Sequence, residues 1–124
     1  MMNVNAVADE TYTYLKTKYS RVYRNNTPQS PTFPYVVFRV ESVTNSYPSE
    51  DLYVNVDIYE KAGISVRVIE DLADTIDIGL NRKIINTSVL NAHYEREVRQ
   101  YVPTQDLVDA HMINLRYAVR TYFK

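Results

Sequence analysis

The stretch Leu52-Tyr53-Val54-Asn55-Val56-Asp57-Ile58-Tyr59 decides the fold. A strand sends successive side chains to opposite sides. Leu52, Val54, Val56 and Ile58 therefore share one face, and Tyr53, Asn55, Asp57 and Tyr59 share the other. One face is apolar enough for a core and the other is polar and aromatic, the pattern of a half-buried strand in an antiparallel sheet. Just upstream, Tyr35-Val36-Val37-Phe38-Arg39-Val40-Glu41-Ser42-Val43 is rich in β-branched and aromatic residues, as strands are. The polar segment from Asn45 to Glu50 lies between the two, so they are expected to form a hairpin.

On the N-terminal side, Val4, Val7, Thr11, Leu15, Tyr19 and Val22 recur at intervals of three and four, which predicts a helix over about 4–23. Asp9 and Glu10 come early and Lys16, Lys18 and Arg21 late, as the helix dipole favours. Residues 24–34 read Arg-Asn-Asn-Thr-Pro-Gln-Ser-Pro-Thr-Phe-Pro, and three prolines keep a helix from passing through. The segment is expected to be an extended linker from the helix to a sheet-and-helix core over 35–124.

On the C-terminal side, Ser65 is a candidate N-cap. Ile69, Leu72, Ala73, Ile76 and Leu80 mark a second amphipathic helix, ending near Asn81-Arg82-Lys83. Gly79 weakens its last turn by about 1 kcal/mol relative to Ala. Two more strands are expected, Val89–Val98 and Met112–Phe123, with a long loop containing Pro103 between them. The expectation is a single α+β domain spanning residues 1–124. Its order is α-β-β-α-β-β, with a mainly antiparallel four-stranded sheet carrying two helices on one face.

Composition narrows the chemistry. The 124 residues include 12 Tyr, no Trp, 3 Phe, only 2 Gly and no Cys. Phosphate-cradling loops and dinucleotide fingerprints need clustered glycines, and Gly63 and Gly79 stand alone. Without Cys there is no disulfide framework, thiolate metal site or thiol nucleophile. The formal net charge of −1 lacks the basic surplus typical of nucleic-acid binders. Apolar runs are too short to cross a bilayer and no signal-like segment follows the N-terminus, so neither membrane insertion nor export is expected. The sequons Asn25-Asn26-Thr27 and Asn86-Thr87-Ser88 are then read as chance.

No catalytic constellation declares itself. His93 and His111 fall on different expected elements with no third ligand at metal spacing. Asp71, Asp74 and Asp77 share a helix face, and a solvated face is preferred to a Mg²⁺ site, which needs further oxygen ligands. Glu95 and Glu97 need only a neighbour such as Arg99, Arg116 or Arg120 to be neutralised. No catalytic residue, cofactor or metal is expected.

The alternation also places Tyr35, Val37, Arg39, Glu41, Tyr53, Asn55, Asp57, Tyr59, Asn114, Arg116, Arg120 and Tyr122 on the face away from the helices. Tyr and Arg are enriched at protein interfaces, and this face mixes them with both signs of charge, so it is a candidate contact surface. The solvated sheet face is the plain alternative. An RNA-binding sheet would use aromatics too, but in basic surroundings, and Glu41 and Asp57 share this one. The expected loops Thr44–Asp51 and Val98–Asp109, with Tyr47 and Tyr101, are a second candidate for docking.

The element order, together with Thr32-Phe33-Pro34-Tyr35-Val36-Val37-Phe38, Val54-Asn55-Val56-Asp57-Ile58-Tyr59 and Val68-Ile69-Glu70-Asp71-Leu72-Ala73-Asp74-Thr75-Ile76, resembles the tail terminator and tail completion (head-to-tail joining) proteins of long-tailed bacteriophages. The resemblance covers most of the chain. It implies a non-enzymatic virion protein, assembled in the host cytoplasm into a homohexameric ring at the head-proximal end of the tail. Its partners would be copies of itself, the tail tube protein and the head connector or stopper, with DNA passing through the lumen without specific binding. Another neck or connector component is the nearest alternative. A small α+β domain that binds a ligand or nucleic acid comes next, and an enzyme third.

Overall fold

The computed structural model describes residues 4–27, 29, 32–46, 49–103 and 110–122. In chain order the elements are α1 (Val4–Lys18), β1 (Val22–Arg24), β2 (Tyr35–Ser46), β3 (Ser49–Lys61), α2 (Arg67–Leu80), β4 (Ile84–Asn86), β5 (Asn91–Val102) and β6 (Ala110–Tyr122). The α+β class stands, but the four-stranded sheet is corrected. The strands form one curled, six-stranded sheet in the order β1-β2-β3-β6-β5-β4, and the chain order is α-β-β-β-α-β-β-β. The two added strands, β1 and β4, have three residues each, too few to show a period of two in sequence.

β1 replaces the last turn of the expected N-terminal helix. α1 stops at Lys18 rather than near residue 23, and the backbone then turns to run parallel to β2. Val36 N–H donates to Arg21 O at 2.9 Å and Asn25 N–H to Phe38 O at 2.8 Å, closing this ladder. Asn25, at φ 68°, then leaves the strand in the left-handed region, where Asn is more at ease than bulkier residues. Arg24 belongs to this strand, so the linker begins after it. The linker is tied back at Pro34, whose carbonyl accepts from Tyr19 Oη at 2.9 Å and Arg21 Nε at 3.0 Å.

Every other strand pair is antiparallel. β2 and β5 each carry one irregularity, between Ser42 and Thr44 and between Arg96 and Val98. Strand β5 runs on to Val102, so the expected loop from Val98 is strand for its first five residues. The β2–β3 loop is likewise shorter than expected, since β2 reaches Ser46 and β3 starts at Ser49. Tyr47 and residues 104–109 lie outside the described residues.

One face of the sheet holds the core. Val36 and Phe38 of β2, Leu52, Val54, Val56 and Ile58 of β3, Leu115, Tyr117 and Val119 of β6, and Ala92 and Tyr94 of β5 are all buried there. α1 contributes Val7, Ala8 and Leu15, and α2 contributes Ile69, Ala73, Ile76 and Leu80. A 14-residue helix is marginal alone in water, so burial holds α2, at roughly 1.5–3 kcal/mol for each large apolar side chain. The N-cap is Val66 and not Ser65, whose Oγ lies one residue earlier and accepts from Arg67 N–H, the first helical residue, at 3.2 Å. Gly79 packs beneath Tyr14, whose hydroxyl donates to Ile76 O at 2.8 Å.

Polar locks join α2 to the sheet. Tyr117 Oη donates to Asp77 Oδ1 at 2.7 Å, and Arg96 reaches Asp77 Oδ2 at 2.9 Å. Arg99 reaches Asp74 Oδ1 at 2.7 Å. The solvated-face reading of Asp71, Asp74 and Asp77 therefore holds for Asp71, whereas Asp74 and Asp77 are anchors to β5 and β6. Burial first, and then the Asp77 bond, push the Tyr117 hydroxyl far above the ordinary tyrosine range. Tyr94, bonded to Thr11 at 2.8 Å, is pushed up to about 12, mainly by burial.

Candidate functional site

Alternation and register together build the open face. Tyr35 pairs with Tyr59, and the row Val37–Asp57–Asn114 follows. Arg39–Asn55–Arg116 and Glu41–Tyr53–Ala118 come next, and Asp51 stands opposite Arg120. Tyr122 lies beyond, opposite Ser49 and Asn91. Apart from Tyr47 and Tyr101, the expected contact residues thus occupy one surface. Tyr101 is displaced from it. It sits in β5 opposite Ile113, in hydrogen-bond contact with His111 Nδ1 at 3.0 Å.

The open face has two unlike halves. In the β2–β3 half, side chains bury one another. Tyr35, Val37, Asn55 and Asp57 are 8% exposed or less, although no helix covers them. Tyr35 stacks on Tyr59 with centroids 5.0 Å apart, and Phe33 and Tyr23 flank it. Asp57 accepts from Asn114 Nδ2 at 2.6 Å, and Arg39 lies 3.7 Å away and also reaches Glu41 at 3.3 Å. Asn55 Nδ2 donates to Glu41 at 3.3 Å. Burial raises the Asp57 carboxyl above its ordinary range, against the Asn114 bond and the Arg39 charge, and burial likewise raises the Tyr35 and Tyr59 hydroxyls. This half is an internally bonded polar cluster.

The other half opens into a trough of about 680 Å³ toward β5 and β4. Its lining includes Tyr53, Ala118, Glu95, His93 and Arg120, with Val43 on the β2 side and Arg82 and Ile84 on the β4 side. The Arg116 guanidinium lies over the Tyr53 ring, 4.5 Å from its centroid, and 3.9 Å from Glu97. Arg120 Nε reaches Asp51 Oδ1 at 3.0 Å, and His93 meets Tyr122 edge to face at 6.1 Å. Val43 is 50% exposed and Ile84 65%, so the sides are apolar and wet. Val43, Arg82, Ile84, His93 and Glu95 were not among the expected contact residues. Only the curl of the sheet brings β4 round to face the end of β2, and no local pattern encodes that.

Among the described residues, no group of three or more His, Cys, Asp or Glu could hold a metal ion, and no helix is long and apolar enough to cross a membrane. His93 and His111 lie on neighbouring strands but in different surroundings. The first is exposed, whereas the second is buried with Nε2 unpartnered. What the open face offers is shape, aromatic surface and paired charge.

No family model matches the chain, and no curated protein matches it in sequence. Solved structures do share its fold. One is a chain of the "Virion of native gene transfer agent (GTA) particle", 13% identical with a TM-score of 0.70, the match covering 90% of this chain and 91% of that one. A second, described only by a sequence identifier, is also 13% identical with a TM-score of 0.70, over 98% of this chain and 94% of its own. Both likenesses run nearly end to end, so this chain is similar to a virion chain in its whole fold.

Proposed function

We propose that this chain is a structural subunit of a virion, a ring-forming tail terminator or tail-to-head joining protein that acts by contact and not by catalysis. The observation that carries the reading is the end-to-end fold likeness to a chain of the gene transfer agent virion. The sequence resemblance to phage tail terminators narrows it to the tail. The partners would be further copies of the chain, the tail tube protein and the head connector, and the position would be the head-proximal end of the tail.

The surface chemistry is consistent with this role. A ring is closed by one interface repeated head to tail, so each subunit needs two different, complementary patches. The open face and the helix-covered side differ in this way. A net charge of −1 suits a lumen that lets DNA slide past without gripping phosphates.

Light scattering across a concentration series, alone and with tail tubes, tests the reading. A discrete oligomer of ring mass is expected, and Tyr53→Asp should weaken it while leaving the circular dichroism spectrum intact. A strict monomer at every concentration, tubes included, overturns the assignment.

A further inference from the structure

We infer that the solvent face of α2 in one copy lies in the trough of the next copy, which deepens the ring reading and rests on it. The starting point is Ile78. On a helix of 3.6 residues per turn it stands opposite Ile69, Ala73, Ile76 and Leu80, at the centre of the face turned to water, and it is 85% exposed. It is the most exposed large apolar side chain among the described residues. Nothing in the subunit explains an isoleucine there.

The trough fits such a helix in size. From Val43 on β2 to Ile84 on β4 there are four strand-to-strand steps, about 19 Å of sheet contour at ~4.8 Å each. Curled, that span suits one helix roughly 10–12 Å across with its side chains. The trough is also apolar at its sides, where Val43 and Ile84 await cover.

Charge agrees with shape. In the trough, Arg120 is paired with Asp51 and Glu97 with Arg116, which leaves Glu95 and Arg82 without ion partners among the described residues. The exposed face of α2 carries Arg67 and Asp71, one turn apart and also unpaired among those residues. An acid and a base on each surface give a two-point match. α2 packs on the covered side of the sheet and the trough opens on the other, so no subunit can fill its own trough. The contact is therefore head to tail, as a closed ring requires.

The chain has no cysteine, which makes the test clean. Ile78→Cys and Ile84→Cys proteins, each still free to fold because both sites are exposed, are mixed and oxidised. A disulfide joining one chain of each kind is expected. Arg67→Glu and Glu95→Arg should each lower assembly about tenfold, and the two combined in one chain should restore it. Rings that form without the mixed disulfide, or disulfides only between two Ile78→Cys chains, overturn this contact while leaving the ring reading intact. A wild-type protein that stays monomeric, even with tail tubes, removes the ring reading and this contact with it.

Discussion

The two faces of the sheet solve the same problem in opposite ways. On the covered face, Tyr117 and Tyr94 sit in the apolar core and each hydroxyl has one specific partner, Asp77 and Thr11, while half-buried Tyr14 donates to the Ile76 carbonyl. On the open face, polar side chains are satisfied in clusters, and tyrosines stack on one another or support an arginine. A lone partner in a dry core cannot be replaced when lost, because water does not reach the orphaned group. Near the surface, water and neighbouring side chains substitute. The covered face therefore carries the stability of the subunit, and the open face has freedom to serve contact.

Mutations can break or sharpen that contrast. The largest effect is expected at Asp77→Ala, which leaves the buried Tyr117 hydroxyl without its partner while water can still reach Arg96, and should cost about 2 kcal/mol in urea unfolding. A loss below about 1 kcal/mol would put the covered face on the same footing as the open one. Next comes Gly79→Ala. The new Cβ would press on the Tyr14 hydroxyl and lie 3.0 Å from ring atoms Cε1 and Cζ. Overpacking costs roughly 1–3 kcal/mol against a helix-propensity gain of about 1 kcal/mol, so a net loss near 1 kcal/mol is expected. Tyr14→Phe in the same chain should recover part of it, and no coupling between the two sites would show that α1 does not grip α2 there.

The smallest effect is on the open face and shows in pH dependence. Burial raises the folded Asp57 carboxyl above its ordinary value of 3.8, so the folded chain holds a proton that the unfolded chain has lost. The stability from this site thus falls as pH rises from 3.8 through the raised folded value, and is level on either side. Asp57→Asn should remove that fall, seen as urea midpoints that decline less than those of wild type over the same window. Identical profiles would mean that the open-face cluster is as wet as an ordinary surface.

Much of this was legible beforehand because alternation is a local property. The Leu52–Tyr59 pattern placed Tyr53, Asn55, Asp57 and Tyr59 together, and the register bears that out. Val22 shows where local reasoning ends. It continues a helical stripe in sequence, yet it lies in β1, because the backbone there finds β2 as a partner instead of another helical turn. Asp57 shows the same limit from the other side. Its face was readable, but its burial was not, since Val37, Arg39 and Asn114 come to it from the neighbouring strands.

By itself, then, the sequence determined the class of the fold, its two helices, the long strands and the side of the sheet on which the residues of the cleanly alternating strands lie. These follow from periods of 3.6 and 2 set by backbone geometry. Only the tertiary structure decided the short edge strands β1 and β4, the pairing of Asp74 and Asp77 with β5 and β6, the polar cluster around Asp57 and the trough between Val43 and Ile84. Each depends on residues far apart in the chain meeting across a curled sheet, and contacts of that kind leave no period in the sequence to be read.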